Sequence, residues 1–204
     1  MKKFGWVLGW AVPEAWFAPL AHAAFPTAAH LFVPAVPDAL TRLETGGPFD
    51  WVAGYSLGSQ LLLGEATRAE QLGRVALLAP SFAFPSEAGM GGRVARAQVK
   101  FLARRLRRDQ EGGLEDFYTR AGLDVPSVHM ACLLPETLAW GLAQLETTAL
   151  PPVLPPGWRA WCGADDPLFD AARLRVLVPE ITIVPNATHH PAALLRAFAK
   201  EAAP

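Results

Sequence analysis

Short apolar clusters closed by glycine or proline recur along the first part of the chain. Phe4 to Leu8 stops at Gly9, Leu31-Phe32-Val33 at Pro34, Trp51-Val52-Ala53 at Gly54, and Arg74 to Leu78 ahead of Pro80. Each is too short for a helix and lacks the alternation of a half-solvated strand, so each reads as a buried strand. Between them, Leu57 to Gly64 with its Leu61-Leu62-Leu63 run and Glu65 to Leu72 are helix-compatible. Strand alternating with helix predicts an α/β class fold, a mainly parallel sheet with helices on both faces. The rhythm breaks after Pro80. From about Phe82 to Pro156 the sequence reads as helices, punctuated by Gly91-Gly92 and Gly112-Gly113 and closed by Pro151-Pro152 and Pro155-Pro156. Strand character returns at Trp158 to Cys162 and at Ile181 to Val184, ahead of a closing helix around Ala192 to Ala199. The expected organisation is a core of residues 1–81 and 157–204 carrying a helical cap insertion over 82–156, with no internal repeat.

Composition narrows the function classes. Of 204 residues, 51% are hydrophobic and 18% charged, with a net charge of -1; this excludes a disordered chain and gives no global electrostatic case for binding nucleic acid. Pro13, Glu14, Pro19 and His22 interrupt the one apolar stretch that approaches a membrane span. Cys132 and Cys162 are too few and too separated for a disulfide framework or a metal site, and a reduced, cytoplasmic setting is expected. The order Lys2-Lys3, an apolar Phe4 to Val12 and Ala21-His22-Ala23 also fits a secretory leader over residues 1–23, and secretion is the alternative expectation. Losing that segment would remove a strand from the sheet.

The chemistry concentrates at Gly54-Tyr55-Ser56-Leu57-Gly58, a G-x-S-x-G motif at the end of a predicted strand and the start of a predicted helix. A serine on such a sharp, strained turn presents its hydroxyl above the sheet, and the flanking glycines remove side chains that would clash there. The hydroxyl needs a base and the base an orienting carboxylate. In chains with this elbow the order is serine, then acid after a late strand, then histidine after the last. Gly163-Ala164-Asp165-Asp166-Pro167 and Thr188-His189-His190-Pro191 supply both in that order. Residue chemistry alone leaves Asp165 against Asp166 and His189 against His190 open. Leu57 N–H is one candidate oxyanion donor, and Trp10 N–H, in the turn after the first strand, the other; the Trp10 indole could also wall an acyl pocket. His22, His30 and His129 match no zinc spacing, and no metal or organic cofactor is expected.

With these pieces the sequence resembles the α/β-hydrolase superfamily, and most closely its pimeloyl-ACP methyl ester esterases. The resembling segments are Gly9-Trp10-Ala11 to Trp16, the serine elbow, Leu134-Pro135-Glu136 to Leu150 with Gly141-Leu142 and Leu145, Gly163 to Leu168, and Ala187-Thr188-His189-His190-Pro191. The family's G-x-x-D spacing implies Asp166 as the acid, and its A-x-H-x-P pattern implies His189 as the base. The chain also departs from the family. The usual first hairpin has no counterpart in these residues, Leu8 stands where many members carry histidine, and Val33-Pro34-Ala35-Val36-Pro37 replaces a longer glycine-rich loop. A reduced sheet is therefore expected.

Arg93 to Arg108 holds seven basic residues and no acidic one. At 100° per residue, Ala95, Val99, Leu102 and Leu106 share one stripe, while Arg93, Arg96, Lys100, Arg104, Arg107 and Arg108 lie opposite. A local positive field of this kind suits an acidic carrier protein or a phosphate-bearing arm, and the resemblance implies an acyl carrier protein held by the cap. Aromatic residues do not interleave with the charges as a nucleic-acid site requires, Phe101 apart. Phe82, Phe84, Phe101 and Phe117 are candidates to line an acyl channel between cap and core. The expectation is a serine carboxylesterase acting on the methyl ester of pimeloyl-ACP, monomeric, with no nucleic-acid or membrane partner. A generic carboxylesterase or thioesterase and a non-catalytic binding protein are the alternatives.

Overall fold

The computed structural model describes residues 1–202; Ala203 and Pro204, the end of the expected core segment, lie outside the described residues. Six strands form one sheet: β1 (Lys3–Val7), β2 (Ala29–Val33), β3 (Trp51–Tyr55), β4 (Arg74–Leu78), β5 (Arg159–Gly163) and β6 (Thr182–Val184). Their order across the sheet is β2-β1-β3-β4-β5-β6, and every neighbouring pair is parallel. The four inner strands are buried from end to end apart from their first residues, whereas β2 and β6 at the edges are half-exposed. Continuous apolar runs and buried parallel strands thus coincide, as coverage of both sheet faces demands.

Within β1 the side chains alternate between the two covering layers. Phe4 and Trp6 face helix α1 (Glu14–Ala24) and helix α9 (Pro191–Ala202). Phe198 of α9 lies 5.9 Å from Phe4, 6.2 Å from Trp6, 5.0 Å from Trp51 and 5.1 Å from Trp161, ring centre to ring centre, so one phenylalanine locks three strands. On the opposite face a Cβ at Gly5 would stand 3.0 Å from Leu43 of α2 (Ala39–Glu44) and 3.1 Å from Phe49. Helices α3 (Leu57–Gly64) and α4 (Ala66–Leu72) cover β1, β3 and β4, and α8 (Ala171–Leu177) packs on β6. Helix α1 was not expected. Pro19 stands inside it and removes one backbone donor; residues 1–23 form β1, the turn after it and most of α1 in this structure. The short helices α2 and α8 also escape a reading based on periodicity.

The insertion holds α5 (Arg96–Arg108), α6 (Gln110–Ala121) and α7 (Pro135–Thr147), with 3-10 turns at Ser86–Ala88 and Ser127–Cys132. Its two ends lie side by side: Ala83 bridges Ala149, and Leu150 N–H donates to Phe82 O at 2.8 Å. Asp109 Oδ1 caps α6 by accepting from Gly112 N–H at 2.9 Å, and Gly122 ends that helix in the left-handed region at φ 66°. Gly113 lets α6 fold against α5, since a Cβ there would come within 2.8 Å of Leu106.

Two consequences for stability follow from this packing. A Cβ at Gly58, in the first turn of α3, would lie 2.0 Å from Val7 O and 2.7 Å from Leu8 O. Gly58→Ala forces α3 away from β1 and should destabilise the protein by about 3 kcal/mol, the upper end of ordinary over-packing; urea unfolding measures it, and a loss below ~0.5 kcal/mol would refute the close approach. His30 Nδ1 accepts from Trp6 Nε1–H at 2.9 Å while its Nε2 faces Phe25 O at 3.2 Å, fixing the neutral ring. Burial, reinforced by His22 with its ring centre 4.5 Å away, holds the His30 pKa below its usual value. The unfolded chain then takes the proton first, so stability present at pH 7 declines as pH falls below ~6.5. The urea midpoint should drop between pH 7 and pH 5.5, and should drop less in His30→Gln.

Candidate active site

Parallel strands whose order reverses leave a crevice at their carboxyl ends, where the chain leaves neighbouring strands in opposite directions. Here the reversal falls between β1 and β3, and both strands end in the segments singled out above. Ser56 follows β3 with φ 53° and ψ -115°, a left-handed conformation rare for a residue with a side chain. The turn is held by Ser56 N–H donating to Leu78 O at 2.8 Å and by Ser59 Oγ–H, which reaches Gly54 O at 2.7 Å. Both motif glycines are sterically required. A Cβ at Gly54 would fall 2.6 Å from Ser59 N, and at Gly58 it would strike β1. The same closeness brings Gly9 within 3.2 Å of Ser56 Cβ, measured from where its own Cβ would be.

Asp166 follows β5 and His189 follows β6. Gly163 permits their loops to touch, because a Cβ there would be 2.3 Å from Ala187 O, and Asp165 N–H donates to that carbonyl at 2.9 Å. His189 Nε2 stands 3.1 Å from Ser56 Oγ, and His189 Nδ1 stands 2.8 Å from Asp166 Oδ2. Asp166 Oδ1 accepts from Leu168 N–H at 2.8 Å and Phe169 N–H at 3.1 Å. A carboxylate with no exposed surface thus has both oxygens satisfied, which burial of the charge requires. With Nδ1–H donating to the acid, Nε2 is left to accept the serine proton. Ser56 keeps 8% of its surface open while His189 keeps 1%.

The alternatives that residue chemistry left open separate in space. Asp165 is exposed. His190 turns away: its Nε2 is 3.0 Å from Asp124 Oδ1, which also accepts from Trp16 Nε1–H at 3.2 Å. Partial burial pushes Asp124 upward, but the hydrogen bonds from His190 and Trp16 outweigh it and leave its pKa below the usual value. This trio joins the loop after α6 to α1 and to the residue beside the candidate base.

Several contributors carried no obvious signal in the sequence. Tyr55 O–H donates to His189 O at 2.8 Å, and burial holds its phenol protonated far above the usual range. The Phe169 ring centre lies 5.6 Å from that of His189. Cys162 is also held as a thiol, burial and the neighbouring Asp166 both raising its pKa, so it is no rival nucleophile. Only the Asp-Pro-Leu-Phe order hinted at the loop: Pro167 has no N–H, and the next two amides are the ones that turn back onto Asp166.

Leu57 is the first residue of α3, where a backbone N–H has no partner within its own helix, and Trp10 lies in the turn against Ser56. The Trp10 indole is clamped under the cap. Its Nε1–H donates to Leu138 O at 2.9 Å, its ring meets Phe117 edge-on at 4.6 Å, and Gly141 leaves room for it. Beside it a cavity of about 380 Å³ opens between cap and core, with Phe84, Phe101 and Phe117 on its walls and Pro167 and Leu168 at the acid loop. Phe82 does not line it. That side chain is fully buried beneath the insertion's stem, a correction to its expected place in the channel.

Helix α5 turns as the periodicity predicted, with Val99 buried, Leu102 and Leu106 half-buried, and Arg96, Lys100, Arg104, Arg107 and Arg108 exposed. Lys100 pairs with Glu146 at 3.4 Å. Arg93 is exposed as well but stands outside the helix. It precedes the helix, lines the cavity, and donates from Nη1 to Asp166 O at 3.3 Å.

No protein-family model matches this sequence, and no curated protein matches it. Solved structures do. The esterase EaEST from Exiguobacterium antarcticum superposes with a TM-score of 0.72 at 10% identity, over 98% of this chain and 92% of its own. A variant of the N-acyl homoserine lactonase AidH, complexed with N-hexanoyl homoserine, gives 0.73 at 14% identity, over 98% and 87%. An alpha/beta hydrolase from Sphaerobacter thermophilus gives 0.59 at 20%, over 98% and 91%. The chain has the α/β-hydrolase fold. In α/β-hydrolase terms the six strands are the parallel body of the sheet, and the elbow serine lies at its switch point. Identities this low speak for the fold alone, so the chemistry rests on the geometry above.

That geometry makes a direct test of reactivity. A fluorophosphonate should label Ser56 in the wild type and in Asp165→Asn and His190→Gln, measured by intact mass against time. Labelling should slow by roughly 10³-fold or more in His189→Gln and Asp166→Asn, which remove the base or leave it in the wrong tautomer. Equal rates in the Asp165 and Asp166 variants would break the assignment.

Proposed function

We propose that this protein is a serine carboxylesterase. The observation that carries the reading is the continuous Ser56–His189–Asp166 relay, with contacts of 3.1 and 2.8 Å and a fully bonded acid. Ser56 Oγ attacks the ester carbonyl as its proton passes to His189 Nε2. Asp166 holds the ring and stabilises the imidazolium. The tetrahedral oxyanion takes hydrogen bonds from Leu57 N–H and Trp10 N–H. His189 then returns the proton to the departing alcohol oxygen, leaving an acyl-serine. Water, deprotonated by the same nitrogen, releases the acid and restores the hydroxyl.

The substrate we favour is the methyl ester of pimeloyl-ACP. Its support is the pairing of a cavity that reaches Trp10 and the acid loop, walled by aromatic and aliphatic side chains with arginines among them, with a strongly basic cap helix. The guanidinium groups of Arg104, Arg107 and Arg108 pair with no carboxylate within 4.0 Å among the described residues, and a carrier with an acidic face would be steered and oriented by them. The acyl chain would run past Trp10 between cap and core.

Methanol release from pimeloyl-ACP methyl ester, set beside hydrolysis of a neutral p-nitrophenyl ester, tests both levels. Ser56→Ala should abolish both reactions. The triple variant Arg104→Glu, Arg107→Glu, Arg108→Glu, or 0.5 M salt, should lower the carrier-to-small-ester ratio of kcat/KM by about tenfold. Turnover of the small ester alone would leave a generic esterase. Folded protein that turns over neither and resists fluorophosphonate would be a binding protein with an idle elbow.

A further inference from the structure

The two edges of the sheet are finished differently. In a parallel ladder, alternate residues point their N–H and C=O groups to opposite sides of the strand. Ala29 N–H donates to Lys2 O at 2.8 Å and Leu8 N–H to Val33 O at 2.9 Å, so residues 29, 31 and 33 of β2 bond to β1. His30 and Phe32 therefore turn their backbone groups outward. β2 is the last strand on its side, and no backbone hydrogen bond from a turn or loop reaches those groups among the described residues. At the opposite edge Ala164 N–H donates to Val184 O at 2.9 Å, which leaves Ile183 alone facing outward, flanked in the chain by Glu180 and Pro185. Short strands, charges and prolines keep an edge from pairing. β6 is guarded in this way and β2 is much less so.

The surface around β2 is uncharged as well. Residues 15–37 contain no Asp, Glu, Lys or Arg, and Pro19, Ala23, Pro26 and Thr27 are exposed within that stretch. Along the edge the rings form a flat stack. His30 lies 5.7 Å from Phe32 with planes 6° apart, and Phe32 lies 6.3 Å from Trp6 at 18°. A strand from a strongly acidic or basic partner would meet no counter-charge here, whereas a second copy of the chain fits. Two β2 strands related by a twofold axis through Leu31 run antiparallel and set His30 of one copy against Phe32 of the other. In that register every outward N–H and C=O of both residues is paired. The stack continues across the axis, with the facing Cβ atoms about 5 Å apart. Pairing stops there, because Pro34 has no N–H and Ala28 N–H already donates to Phe25 O at 3.2 Å. A net charge of -1 adds little repulsion between copies.

We propose that this protein forms a closed dimer by β2-to-β2 pairing, joining two sheets into one, in place of the monomer expected from the sequence. The pairing consumes the free edge of each copy, so association ends at two. The inference is independent of the hydrolase reading.

Sedimentation equilibrium of the full chain up to about 1 mM should show monomer passing into dimer with no larger species. Amide hydrogen exchange resolved by NMR locates the contact. The Leu31 and Val33 amides, bonded to β1, should be protected at every concentration, whereas those of His30 and Phe32 should exchange about tenfold or more slowly above the dissociation constant than below it. Phe32→Lys sets like charges on the pairing edge and should raise the dissociation constant by about tenfold or more. Thr182→Lys, on the exposed start of β6, should leave it within about twofold. Should Phe32→Lys fail to fold, the exchange pattern of the wild type decides alone. Monomer at every concentration, association that continues beyond two, or a dimer whose His30 and Phe32 amides exchange as fast as in the monomer would overturn the proposal. Equal weakening by both lysine variants would overturn it too.

Discussion

The backbone of α3 touches the backbone of β1 at Gly58, and the rest of the site depends on that contact. With no side chain between them, the helix that begins just after Ser56 sits directly on the carbonyls of Val7 and Leu8. The strained serine and the Gly9–Trp10 turn become neighbours although 44 residues lie between Ala11 and Ser56 in the chain. Neither local propensity nor hydrogen bonding would produce this on its own. The serine's left-handed backbone is unfavourable by itself and persists because Gly54, Ser59 and Leu78 leave the chain nowhere else to go.

A second pinch, at Gly163, does for the acid and the histidine what Gly58 does for the serine. The loops after β5 and β6 meet backbone to backbone, and the buried carboxylate is compensated by two amides and an imidazole rather than by a cation. Arg93 approaches the same loop through a carbonyl, not through the carboxylate. The imidazole therefore faces the negative partner that an imidazolium needs, with no competing positive charge bonded to that acid.

Much of this was legible in the residues. Buried parallel strands announce themselves as closed apolar runs, so all six were recognisable to within a residue or two, and the elbow motif marked the serine because its glycines answer to sterics that tolerate nothing larger. The twin aspartates and twin histidines were not separable by residue type. What separates them is the direction of a loop, fixed by Pro167 and by backbone contacts with the neighbouring strand. Helix α1 was obscured by Pro19 and by an apolar, small-residue pattern shared with leader sequences. The basic stripe of α5 was readable from periodicity as far as the helix extends; Arg93 is exposed too, but helical periodicity does not govern it because the helix starts three residues after it. Phe82 and Phe84 look alike in the sequence, yet only Phe84 reaches the cavity; no periodicity distinguishes them at the root of an insertion.

That root has a further meaning. Because Ala83 and Ala149 bridge each other, the whole helical insertion leaves and rejoins the sheet through one narrow neck. The strand order, the elbow and the acid loop lie wholly outside it, while most of the cavity wall and the basic face lie within it. Such a molecule has two heritable parts that can drift at different speeds: a Ser–His–Asp arrangement bound by backbone clearances that admit almost no change, and a helical layer that can be lengthened, recharged or exchanged by a single insertion event without disturbing the register of the sheet.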